Sequence, residues 1–293
     1  MSAARVSCRQ SLSAPAPGCN TARFEDGQVG SPSTSIPLTE GRVQVEIPDR
    51  TARPEQPTRL QHSGALFCLY TVNHRIDAHV HVWTDRRDLY PRAAGTRHYP
   101  PERFTPEDFL SHARPSGITR AVLVQMSFYG FDNSYMLDAI KAHPDVFSGI
   151  AVVDSAAADL DVAMRSLAAK GIRGFRISPV ESSAGRLDAP GMTSMWRTGA
   201  DRRIAMCLLI DPEMLPDVAS MCERFPDTPV VIDHLARIGV DGQIRDSDTR
   251  SLCSLAKYGS VFVNVSAFYA LGRKQAPYTD LAPLIRARGV WQP

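Results

Sequence analysis

From Arg75 onward, short β-branched runs alternate with helical patterns, and no other feature constrains the fold so tightly. The strand candidates are Ile76–Val82, Ala121–Met126, Phe147–Val153, Ile172–Ile177, Ile204–Ile210, Val230–His234 and Val261–Ser266. Each is followed by a helical pattern, and the repeat of roughly 30 residues is about the length of one βα unit. Ala121-Val122-Leu123-Val124 and Val230-Val231-Ile232 are continuously apolar, which suits a parallel sheet covered on both faces. Two architectures use this alternation, a doubly wound open sheet and an eight-stranded (β/α) barrel. The chain has no G-x-G-x-x-G, no G-x-x-x-x-G-K-[ST] and no G-x-S-x-G. Its first strand ends instead in histidines, so a TIM-type (β/α)8 barrel is the expected α/β fold.

The helix ends carry local signals. Thr105-Pro106-Glu107-Asp108 offers an N-cap, a proline at the first helical position and acids in the first turn, for a helix reaching Ala113. Asn133 is expected to cap Tyr135–His143, and Asp159 to cap Leu160–Lys170 before Gly171. Met192–Arg202, Glu213–Phe225 and Ser247–Lys257 complete the series.

Residues 1–70 have a different character. They are rich in Ser, Pro, Gly and Arg and lack sustained periodicity, so a disordered or spurious extension is expected there. Arg5, Arg9 and Arg23 give a weak transit-peptide flavour that Pro15 and Pro17 oppose. Gly41–Ile47 alternates like a strand, but nothing nearby offers it a partner. The barrel domain is expected over 75–293. Thirty-three basic against thirty-one acidic residues leave a formal charge of +2, which gives no electrostatic case for a nucleic-acid or membrane-surface partner. No apolar run approaches the roughly 20 residues of a membrane span. The six cysteines are scattered without a C-x-x-C pair, in keeping with a cytoplasmic protein without a disulfide scaffold.

In a barrel, chemistry gathers at the C-terminal strand ends. On the first strand, Asp77, His79 and His81 alternate onto one face, and H-x-H there can present two nitrogen ligands to a divalent metal. On the fourth, Arg173 and Arg176 face opposite sides; Arg176 is nearer the rim, where it either clamps a substrate carboxylate or pairs with an acidic neighbour. On the sixth, Asp233, His234 and Arg237 cluster where the strand leaves the sheet. A neutral His234 there can polarise a carbonyl or bind metal. Ser266, at the end of the seventh strand, is a further candidate donor.

Ile76-Asp77-Ala78-His79-Val80-His81-Val82-Trp83 followed by Leu89-Tyr90-Pro91, Gly171–Arg176 and Val231–Arg237 together resemble the amidohydrolase-related proteins. More narrowly, they resemble the lactonase-like branch with its pyrone-dicarboxylate, fuconolactone and sulfomuconolactone hydrolases. The resemblance covers residues 75–288. It implies a hydrolase acting on a lactone or similar cyclic carbonyl compound, with a small anionic molecule as substrate. By position, His79 and His81 become metal ligands or carbonyl-polarising groups, with His234 opposite. Arg176 and Arg237 bind the substrate carboxylate, and Tyr90 lines the pocket. Metal use varies in this branch: a divalent ion, zinc first, or none at all, is what the resemblance implies. Its members often bring a further histidine on strand five, where this chain has Met206–Asp211; Asp211 is either a substitute ligand or a helix cap.

The resemblance also implies an eighth-strand aspartate that takes a proton from the attacking water. No such strand is legible after Leu284–Pro293, and Asp280 reads as a helix cap. The expectation is therefore a barrel truncated after its seventh βα unit, whose open edge favours self-association. Two alternatives to a lactonase follow: a decarboxylase or hydratase on the same fold, and a catalytically defective chain.

Overall fold

The computed structural model describes residues 44–45, 75–96, 99–178 and 186–287. One sheet runs through them in chain order: β1 (Gln44–Val45), β2 (Arg75–Val80), β3 (Ile118–Val124), β4 (Phe147–Ala151), β5 (Ile172–Ile177), β6 (Ala205–Leu208), β7 (Val230–Ile232) and β8 (Val261–Val263). From β2 to β8 every neighbouring pair is parallel. The crossovers are α1 (Pro106–Ala113), α2 (Ser134–Ala142), α3 (Leu160–Ala169), α4 (Pro190–Arg202), α5 (Leu215–Arg224) and α6 (Asp246–Ser254), with α7 (Ala282–Ala287) after β8.

Seven parallel strands at about 4.8 Å spacing would hold the first and last some 29 Å apart if the sheet were flat. Yet His79 on β2 lies 3.2 Å from Asn264, the residue following β8. The sheet therefore curls round on itself as a barrel does, which removes the doubly wound alternative. Among the described residues the parallel strands number seven, as the sequence pattern implies. Among those residues, too, no helix is long and apolar enough to cross a membrane.

β1 corrects one expectation. Gln44 and Val45 do find a partner, pairing antiparallel with Asp77 and Ile76 on the outer edge of β2. The pairing strand lies about 30 residues downstream in the barrel domain, too far for a local hairpin signal. The rest of the 1–70 extension lies outside the described residues.

Local chemistry accounts for the helix starts only in part. At α1 the Thr105 side chain accepts from the Asp108 amide and Asp108 accepts from the Thr105 amide, a reciprocal capping box. Asn133 stands at the N-cap position of α2, but its side chain makes no capping hydrogen bond. Its side chain instead donates to the Val152 carbonyl at 2.8 Å and accepts from the Val152 amide at 3.1 Å. Nor does the Asp159 side chain cap α3. Gly171 between α3 and β5 has φ +101°, and a Cβ there would lie 2.8 Å from Ile140, so the tight turn needs glycine.

The core lies between the sheet and its helices. Leu123, Phe175, Met206, Leu208, Val230 and Ile232 of the strands are fully or almost fully buried, as are Phe109, Met164, Trp196 and Val218 of the helices. At roughly 25 cal/mol per Å² of apolar surface, this layer is the main source of stability.

Candidate active site

The strand ends at one rim bring the histidines together. His79 and His81 face each other with their Nε2 atoms 3.3 Å apart. The His234 ring lies 4.7 Å from that of His79, centroid to centroid. The three rings come from the end of β2 and from the turn after β7.

Each ring is held by its other nitrogen. His81 Nδ1 donates to the Val124 carbonyl at 2.9 Å, which leaves Nε2 with its lone pair. His234 Nδ1 shares a 2.7 Å hydrogen bond with the Ser266 hydroxyl. His79 Nδ1 lies 3.3 Å from Asp233 Oδ1 and 3.2 Å from the Asn264 amide nitrogen. Burial, reinforced by the neighbouring His79 and Arg176, lowers the His81 pKa to about 3. Burial, with the nearby His79, lowers that of His234 to about 4. Both rings are neutral at pH 7.

Asp233 is the hub beneath them. It is 2% exposed, and it accepts from Arg176 Nη1 at 3.0 Å and from Asn264 at 3.3 Å. Burial alone would raise its pKa, but the hydrogen bond from His79 and the positive charge of Arg176 outweigh that and hold it at about 2. Arg176 thus shows the acidic-neighbour pairing foreseen as one of its two readings. Its side chain is 8% exposed. Arg173 points outward to the Ala168 carbonyl.

The turn after β7 corrects the expected strand Val230–His234, which stops at Ile232. His234, Leu235, Ala236 and Arg237 then follow one another with φ between 53° and 55°. Left-handed backbone costs an L-residue roughly 1–2 kcal/mol. The Leu235 amide is anchored on the Asn264 carbonyl at 3.1 Å, one contact that holds the turn. This strained turn aims His234 across at His79 while sending Arg237 outward. Such strain held by its surroundings is characteristic of functional sites. Arg237 meets Asp211 at 3.2 Å on the rim, with side chains 33% and 44% exposed. Asp211 is therefore Arg237's partner; its side chain caps no helix.

Tyr90 stands apart from the histidines in its contacts. Its hydroxyl donates to Asp138 of α2 at 2.7 Å, and its ring packs on Tyr135 beside the cluster of Trp83, Met126, Phe128 and Tyr129. Asp280 binds the Arg273 amide in the loop before α7 and caps no helix with its side chain. Asn264 was missed from sequence altogether. The signal was available, because Asn264 and Ser266 alternate with Val263 and Val265 and so share one face.

The two first-strand histidines suit a metal ion in their donor chemistry. Two imidazole nitrogens at about 2.0–2.1 Å from one tetrahedral ion lie about 3.3–3.4 Å apart, and the observed spacing is 3.3 Å. Among the described residues, no group of three or more His, Cys, Asp or Glu is placed to hold an ion.

The chain is similar to 4-sulfomuconolactone hydrolase of Rhizobium radiobacter, 26% identical over 215 residues that cover 72% of this chain and 69% of the relative. It is also similar to L-fucono-1,5-lactonase of Burkholderia ambifaria, 25% identical over 231 residues, 74% of this chain and 76% of the relative. Among solved structures, it resembles a probable 2-pyrone-4,6-dicarboxylic acid hydrolase from Acinetobacter baumannii with citric acid bound. That likeness has a TM-score of 0.63 and 29% identity, over 74% of this chain and 78% of the other. A family model described as amidohydrolase matches residues 76–290. The chain belongs to the amidohydrolase family and is a hydrolase, with lactone-hydrolysing enzymes among its relatives.

Proposed function

We propose that the chain opens a lactone, or a similar cyclic carbonyl compound, that carries a carboxylate. The observation that carries this reading is the convergence of three imidazoles at the barrel mouth, two of them held neutral by burial. A neutral imidazole gives an N–H to a developing oxyanion without first having to lose a charge. His234 takes this role, with Ser266 fixing its ring. His79 and His81 would hold a divalent ion, for which zinc is proposed. Such an ion supplies Lewis-acid polarisation of the carbonyl.

Arg237, a third exposed on the rim, is the contact for the substrate carboxylate. Arg176 works one layer deeper, keeping Asp233 ionised beneath His79. Tyr90 flanks the mouth from the loop after β2. That the Acinetobacter structure has citric acid bound supports an anionic ligand.

The test is to incubate the purified chain with a panel of carboxylated and uncharged lactones and to analyse the products. Ring-opened hydroxy acids, formed faster from the carboxylated members, are expected. Release of CO₂ without ring opening would move the chain to decarboxylation. Inertness towards every lactone would refute the reading.

A further inference from the structure

The exposed apolar side chains are unevenly distributed. Among the described residues six large apolar or aromatic side chains are exposed, and four of them, Leu89, Tyr99, Phe131 and Tyr269, stand on loops that leave the C-terminal strand ends. Val162 on α3 and Phe262 on β8 lie elsewhere. Single exposed apolar groups need no explanation, but a set gathered on the rim that carries the histidines marks a binding surface. Phe131 shares a small cavity with Arg176, the partner of Asp233, so the set borders the candidate site itself.

Within this set, Tyr99 and Tyr269 form a pair. They stand on the loops after β2 and β8, the two ends of the sheet that His79 and Asn264 bring within 3.2 Å of each other. Tyr269 is 70% exposed, yet burial raises the pKa of its hydroxyl, and the nearby Tyr99 phenol raises it further. Both hold for a side chain in a concave mouth, open to solvent and walled by protein. Each ring is also fixed. The Tyr99 ring meets that of Trp83 edge to face at 5.6 Å, and the Trp83 backbone exchanges two 2.9 Å hydrogen bonds with Phe104. Tyr269 sits in a single 3₁₀ turn, closed by the Ala270 amide on the Ala267 carbonyl at 2.9 Å. Trp83 lies two residues beyond His81, and Tyr269 three beyond Ser266, the partner of His234. The two rings are therefore tied to the elements that hold the imidazoles.

A fixed, solvent-facing tyrosine ring offers a ligand a flat apolar face at little further entropic cost. A planar aromatic group packed against such a face gains more than an equally apolar group that is not planar. We propose that Tyr99 and Tyr269 are specificity-determining residues that together hold an aromatic substituent of the lactone at the mouth, so that the preferred substrate carries an aryl group as well as its carboxylate. The rings make the selection, and the hydroxyls do not. The proposal rests on the reading of the rim imidazoles as lactone-opening groups and narrows the substrate class of that reading.

The test uses two carboxylated γ-lactones that differ only in bearing a phenyl or a cyclohexyl group, which are similar in bulk and apolar character but differ in planarity. Wild type should open the phenyl compound with about tenfold higher kcat/KM, the scale of two aromatic contacts. The difference should lie in KM, because the contact is made equally in the ground and transition states. Tyr99→Ala and Tyr269→Ala should each bring the ratio several-fold closer to one, and Tyr99→Phe and Tyr269→Phe should keep it. The ratio is taken within one variant, so any loss of folded protein cancels. A wild-type ratio near one, a ratio that neither alanine variant changes, or its loss in the phenylalanine variants would overturn the proposal and leave lactone opening in place. If every lactone is inert, calorimetric titration with 3-phenylpropionate and 3-cyclohexylpropionate decides. Tighter binding of the phenyl compound, lost in the alanine variants, would leave the aromatic pair standing and remove the lactonase reading. Equal affinities, or binding of neither compound, would overturn the aromatic pair as well.

Discussion

The middle of the sheet and its flanking end follow different rules. β3 to β6 keep a regular or nearly regular parallel register and present fully buried apolar side chains. β2 shows register shifts, four consecutive left-handed residues follow β7 after Asp233, and the residues following β8 carry Asn264 and Ser266. Burial energy is concentrated where the backbone is ordinary, and chemistry where it is not. A rigid apolar middle is what allows a strained, polar rim to persist.

Substitutions in the two regions test this contrast. The largest effect is expected from Phe109→Ala in the helical layer, where a fully buried ring is removed. It should cost about 3–5 kcal/mol in urea unfolding while leaving kcat/KM of the folded fraction unchanged. Arg176→Leu comes next. It strips a buried carboxylate of its charged partner, for which about 3 kcal/mol is expected, the low end because Asn264 and His79 still contact Asp233. Unlike the first variant, it should also impair activity.

Two buried alanines then separate the regions. Ala151→Gly on β4 loses a buried methyl and adds chain entropy, about 1–2 kcal/mol together. Ala236→Gly loses the same methyl but escapes the left-handed penalty of φ 54°, so its net cost should be about zero. Equal costs in urea titrations would show that the turn is not strained.

The pH dependence stands outside this ranking of substitutions. In the metal-free protein, His81 and His234 have pKa values below those of the unfolded chain, about 3 and 4 against 6.5. Below pH 6.5 the unfolded state takes up protons that the folded state refuses, so stability is lost as pH falls from 6.5 towards 4. Asp233 adds a loss of the same sign at lower pH, because its depressed carboxyl is protonated only near 2. Thermal midpoints measured between pH 7 and 4 should decline, and the decline should flatten in a His81→Gln/His234→Gln variant.

The regular region was largely legible in the sequence. Every expected parallel strand exists, because apolar runs bounded by caps and glycines state their own periodicity. The α1 capping box was legible for the same reason, being complete within four residues. The rim was legible only in its residue types. His79, His81 and His234 were identifiable, but Asp233 could be read equally as catalytic or structural, since its role is set by partners from β2, β5 and the end of β8. Asn133 misled because a local capping rule lost to hydrogen bonds with Val152, 19 residues away. The turn at His234 was hidden because an apolar strand gives no sign of where its backbone changes hand.

The central claim is that the imidazoles at the rim carry out lactone opening on a barrel whose stability lies elsewhere. The most direct measurement compares wild type with His234→Ala for kcat/KM on the best carboxylated lactone, alongside the urea midpoint of each. The account predicts at least a hundredfold loss of kcat/KM, of the order seen when an oxyanion donor is removed, with the midpoint nearly unchanged. Retained activity in His234→Ala, or a loss that only tracks unfolding, would contradict it.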